Sequence, residues 1–214
     1  MFKPVVLFAL LTPVLLAGCG TTSDGQFTET GIRVTRSACP GVGIPAATGD
    51  VTLFDPPASR DASAIDVVAH VTNVRSTCDE TGEYVIANAT FDVFARRRDA
   101  SGAREVVLPY FATVVQGGTN VVSKRLGRVA LRFNDGEFRT STSATANAQV
   151  LRSAATLPAE IRQTITRKRK AGDPDAAIDP MANPTVRTAV QRATFELLIG
   201  FQLTQEQLAY NATR

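Results

Sequence analysis

The sequence predicts a mainly β fold: an immunoglobulin-like antiparallel β-sandwich with a C-terminal part of short helices and one closing strand. Three observations carry this. From Ile32 to Ala146 the dominant hydrophobic period is two, the spacing of side chains along one face of a strand. Turn signals rich in glycine separate the alternating runs, as in a sandwich of six or more short strands. Composition is that of a globular chain, 44% hydrophobic with 15 glycines and 11 prolines in 214 residues.

The elements follow in order. Short strands are expected at Ile32–Arg36 and Val51–Phe54. Ile65, Val67, Ala69 and Val71 alternate with Asp66, Val68, His70 and Thr72, which places His70 on the more polar face with no evident partner. Val85 to Ala95 alternates again, with Ile86 and Phe94 interrupting its polar set, so this strand is expected to bury part of both faces. Leu108–Val115 reads as a strand whose beginning, marked by Pro109, lies at an edge or bulge. Gln116-Gly117-Gly118-Thr119-Asn120 is a hairpin signal leading to Val121–Leu126. Asn134-Asp135-Gly136 is a second, joining Val129–Phe133 to Glu137–Ala146. Gly31, Gly41 and Gly43 read as turns. Beyond these, Pro158 to about Lys170 reads as a helix with a basic end, and Asn183-Pro184 caps a second. Phe195, Leu197, Ile199, Phe201 and Leu203 form the strongest strand, expected to complete a sheet. Thr204 and Gln207 then make a capping box for a final turn of helix through Tyr210.

The N-terminus carries an address. Lys3 precedes an apolar run, Val5 to Leu16, too short to span a bilayer and broken by Thr12 and Pro13. It ends in Leu16-Ala17-Gly18-Cys19, which resembles the bacterial lipoprotein signal. The resemblance implies that residues 1–18 are a signal peptide and that Cys19 becomes the lipidated first residue. Two or more acyl chains there give stable membrane anchoring. The same resemblance implies the outer membrane rather than the inner, since Gly20 stands where an aspartate would favour inner-membrane retention in such lipoproteins. Residues 19–31, small and polar, are read as a tether, and 32–214 as a single sandwich domain with its helical extension.

Cysteine arithmetic agrees. With Cys19 given to lipid, Cys39 and Cys78 remain, and in an oxidising compartment the pair is expected to form a disulfide rather than stand as two buried thiols. There is no Cys-x-x-Cys for redox work, and His70 is the only histidine, so neither a metal nor a cofactor is expected.

Candidate constellations each meet a plainer reading. Arg96-Arg97-Arg98 could grip lipopolysaccharide phosphates or anionic headgroups, against a solvated strand end. Arg167-Lys168-Arg169-Lys170 has a nucleic-acid look, but the address and a net charge of +3 favour a helix end complementing the macrodipole. Asp173, Asp175 and Asp179 lack the spacing of an EF-hand and read as a capping and turn-forming loop. No Gly-x-Ser-x-Gly, His-Glu-x-x-His or phosphate loop is present.

The segment Gly200-Phe201-Gln202-Leu203-Thr204-Gln205-Glu206-Gln207-Leu208-Ala209-Tyr210-Asn211, with Leu108-Pro109-Tyr110-Phe111-Ala112 and Cys39-Pro40, resembles a group of alphaproteobacterial envelope lipoproteins with no assigned activity. The resemblance implies an envelope location and little more. The expectation is therefore a lipid-anchored, periplasm-facing, non-enzymatic structural, assembly or protein-interaction module. Its contacts would be the membrane, through Cys19, and an envelope protein; nucleic acid is not expected. The alternative is a carrier or sensor of an apolar or anionic envelope ligand.

Overall fold

The structure is a computed structural model that describes residues 27–28, 31–32, 37–170 and 172–213. Residues 1–35 and 36–214 form two compact units. In the first, β1 (Phe27–Thr28) pairs antiparallel with β2 (Gly31–Ile32), inside and just after the segment read as a tether. The signal peptide, the lipobox with Cys19, and residues 33–36 of the first expected strand lie outside the described residues.

The second unit is the expected sandwich. One sheet has the order β4 (Asp50–Phe54), β5 (Ile65–Asp79), β6 (Tyr84–Arg97), β9 (Arg139–Leu151), all antiparallel. The other has the order β3 (Gly41–Gly43), β10 (Phe195–Phe201), β7 (Arg104–Gln116), β8 (Asn120–Phe133). This connectivity differs from the ABED and CFG order of immunoglobulin domains, within the same two-layer architecture. The Gly41 and Gly43 pair is strand rather than turn, because β3 pairs parallel with β10. The expected closing strand thus lies in the middle of its sheet, between β3 and β7.

Period two explains the core. Val85, Ala87, Ala89, Phe91, Val93 and Ala95 of β6 face Leu131 and Phe133 of β8 and Leu197, Ile199 and Phe201 of β10 in one buried cluster. Phe91, Phe133 and Phe201 are its largest fully buried side chains. The expectation that β6 buries both faces fails: its burial alternates without exception, and Ile86 and Phe94 are outward and about 40% exposed. Among the described residues no element covers that face of the first sheet at those positions, so their apolarity does not translate into burial.

Strand limits differ where context overrides local signal. Val121–Leu126 and Val129–Phe133 are one continuous strand, β8. Gly127 does not break it, because Gly127 pairs with Tyr110 and a Cβ there would come within 2.3 Å of the tyrosine ring. The ring lies across the glycine, meets Phe91 edge-on with centroids 5.3 Å apart, and its hydroxyl donates to the Thr145 carbonyl of β9 at 2.9 Å. Tyr110 thereby joins both sheets, an arrangement known to compensate a strand glycine. We expect Gly127→Val to force the ring out and destabilise by about 2–3 kcal/mol, as overpacking does. Tyr110→Phe should lose only about 1 kcal/mol, the worth of one hydrogen bond. Urea midpoints read both; equal losses would refute the ring-over-glycine account.

Pro109 sits inside β7, which starts at Arg104, not at its beginning. It is tolerated because β10 stops pairing there: Phe201 pairs with Tyr110, and Gln202 N–H donates to the Pro109 carbonyl with no return bond possible. Asn134-Asp135-Gly136 turns as expected, with Gly136 at φ 78°, but β8 and β9 belong to different sheets, so the turn is an inter-sheet crossing and not a hairpin.

The appendage is helical. α1 (Arg152–Ala155) and α2 (Ala159–Thr166) follow β9. α3 (Pro184–Arg192) begins as expected, with the Asn183 side chain accepting from Thr185 N–H and Pro184 in the first turn, and buries Val186 and Val190. α4 (Gln205–Thr213) opens on the expected capping box: Thr204 N–H donates to Gln207 Oε1, and Gln207 N–H to Thr204 Oγ1. It docks on the free edge of β4. Asn211 Nδ2 donates to the carbonyls of Ala47 and Asp50, Tyr210 meets Phe54 edge-on, and Glu206 pairs with Arg60 at 2.8 Å.

Cys39 and Cys78 form the expected disulfide, across 39 residues of sequence. Cys39 precedes β3 in one sheet and Cys78 is near the end of β5 in the other, so the bond ties the two layers together. Glu80 accepts from Ala38 N–H beside it.

Candidate interaction surface

Most charged motifs of the sequence are internal fixtures of the fold. Arg97, the middle of Arg96-Arg97-Arg98, is not a solvated strand end: it is 5% exposed. Its Nε donates to the Glu137 carbonyl, Nη1 to Gly102, and Nη2 to Ala100 and Asn134, at 2.7–2.8 Å. The guanidinium also lies 5.1 Å from the Phe133 ring centroid. One side chain thus gathers the 98–103 loop and the 134–138 crossing. The neighbouring Arg96 and Arg98 are exposed, as a strand end would have them. Period two could have found Arg97, since it falls in phase with Val93 and Ala95.

The basic run at 167–170 lies beyond α2 rather than ending it. Arg167 and Arg169 both reach the Asp175 carboxylate, and Lys170 N–H donates to Asp173. Asp179 accepts from Met181 N–H and caps a short 3₁₀ turn at Pro180–Ala182. The basic run and the acidic loop therefore serve each other, which matches the capping reading of the loop. His70 does have a partner: Asp50, directly across on β4, is bonded to its Nδ1. Sequence could not pair them without the register. Arg104 of β7 holds Asp66 of β5 bidentately, at 2.8 and 2.6 Å, which raises the arginine's proton affinity and adds a further tie between the sheets.

The space between the sheets is occupied by side chains. Among the described residues two open hollows lie on the appendage. One, of about 450 Å³, lies between α2 and α3 and is lined by Ile161, Thr188, Ala189 and Arg192 among others. The other, of about 560 Å³, lies against α1 beside Glu83 and Leu151. Among the described residues no group of three or more histidine, cysteine or carboxylate side chains is placed to hold a metal.

The surface that stands out is the outer side of β7 and β8. Because Val129, Leu131 and Phe133 point inward, Lys124, Leu126, Arg128, Ala130 and Arg132 point out. Their neighbours across β7 are Thr113, Phe111, Pro109, Val107 and Glu105. Leu126 is 65% exposed, Val122 52% and Val107 50%. Lys124 Nζ lies 5.4 Å from the Phe111 ring centroid. β8 carries Lys124, Arg125, Arg128 and Arg132 and no acidic residue; the one carboxylate paired across it is Glu105, 2.7 Å from Arg132. Charge on such a strand also discourages edge-to-edge pairing, as exposed strands require.

Comparison with known proteins adds no relative. No protein-family model matches the chain, and no match is found among curated proteins or solved structures.

Proposed function

We propose that the chain is a lipid-anchored protein of the bacterial envelope, held by a lipid on Cys19 and facing the periplasm, with the outer membrane favoured over the inner. On this reading its sandwich is a non-enzymatic module that works by surface contact, in structure, assembly or interaction. The observation that carries it is the pairing of a filled interior with an exposed apolar and basic strand. Phe91, Phe133, Phe201 and Leu131 occupy the centre that a sandwich carrier would keep open, while β8 presents Leu126 and Val122 to solvent. A carrier would have to use the hollows of the helical appendage instead.

One experiment in living cells tests both parts. Cys19→Ala should release the protein from membranes after a high-salt wash; retention would refute the lipid anchor. In the anchored protein, a photocrosslinker at Val122 should give adducts well above those of one at Ile86 on the opposite face. Equal yields would refute β8 as the working surface.

A further inference from the structure

The outward face of β7 and β8 carries a more specific reading, which rests on the proposed anchor at Cys19. We propose that this face docks on an anionic lipid surface, with Leu126, Val107 and Phe111 entering the interfacial region and Lys124, Arg128 and Arg132 reaching headgroup phosphates.

Charge complementarity is the first support. Lys124, Arg128 and Arg132 form an outward row on a strand that carries no acid, Arg125 turning to the other face to donate to Asn147, and of the three Arg132 is the one paired with a carboxylate. Anionic headgroups neutralise such a row without a matching protein sequence. The second support is the mixture of chemistries. Apolar and long basic side chains alternate along one flat row, so the aliphatic stems of Lys124 and Arg128 can lie beside Leu126 while their charges stay at headgroup level. The third support is reach. The chain from the anchor enters the sandwich at β3, in the same sheet as β8 and three strand spacings away, ~14 Å. With the β1–β2 pairing kept, the residues between Cys19 and Ser37 can extend to ~45 Å. The face is therefore within range of the membrane that holds the lipid.

The absence of tryptophan from the sequence supplies the test. Leu126→Trp and, as a control on the opposite sheet, Ile86→Trp are made in the full lipidated protein. Each is purified from membranes and reconstituted into phosphatidylcholine vesicles with or without phosphatidylglycerol, containing brominated acyl chains. The proposal expects the Leu126→Trp protein to show blue-shifted emission and at least about twofold stronger bromine quenching than Ile86→Trp, in anionic vesicles only. High salt, or Lys124→Gln with Arg128→Gln, should abolish the difference, because the attraction is screened or removed. If the protein floats with both vesicle types but quenching at the two positions is equal, the docking face is wrong and the anchor stands. If it floats with neither, the anchor itself fails and the docking proposal falls with it. Protein rather than lipid adducts from a photocrosslinker at Leu126 in cells would give the face to a protein partner and overturn the proposal.

Discussion

Arg97→Ala is expected to lower the melting temperature by about 10 °C, the largest effect of any single polar substitution in the sandwich. The reasoning begins with burial. A guanidinium taken out of water is costly unless its donors are satisfied, and here four backbone carbonyls and the face of Phe133 take that role. Truncation leaves those carbonyls facing a void at the end of the core. Breaking a buried charged network from one side typically costs about 3–5 kcal/mol. Arg97→Lys should recover little, since an ammonium has three donors at one point and cannot span acceptors on two separate loops. Calorimetry on the three proteins measures this. A loss under about 1 kcal/mol for Arg97→Ala, or full recovery by lysine, would show that the loops hold together without the guanidinium.

Cys39→Ala with Cys78→Ala is expected to cost about 4 kcal/mol, on the chain-entropy account of a loop this long. The bond closes 39 residues of sequence separation and joins the segment before β3 to the end of β5. Most of β4 and β5 lies within that loop, so the unfolded chain gains considerable freedom when it is opened. Urea midpoints with and without reductant check the claim. Reduced native protein and the double variant should coincide well below the oxidised protein, and an oxidised midpoint insensitive to reductant would refute it.

These residues show what was legible beforehand. Alternation placed β5, β6 and β10 and named the core, because side-chain period is a local property of the chain. The Asn183 cap and the Thr204–Gln207 box were legible for the same reason. Facts of assembly were not. Asp135-Gly136 dictates a backbone that turns sharply, but it does not state which sheet the next strand joins. Asp50 and His70 meet only once β4 and β5 have a register. Ile86 and Phe94 look buried until the topology places them on the outward face of the first sheet. Arg97 was the instructive miss: its charge outweighed its phase, although the phase was correct. The β8 surface was hidden for a related reason. Val121–Leu126 reads only as a strand after a hairpin, and topology shows which side of the sheet faces out.

The placement of β10 has a consequence for how the molecule is made. A chain that emerges N-terminus first, from a ribosome or a translocation pore, presents β3 to β9 long before residue 195. Until then β7 lacks one neighbour and β3 has none, since β10 is the strand between them. The second layer is completed only when Phe195–Phe201 arrive, and the helix that shields β4 comes later still. Folding of that layer thus waits on Phe195–Phe201, and a chain cut short before Phe195 would be left with an open sheet rather than a smaller stable domain.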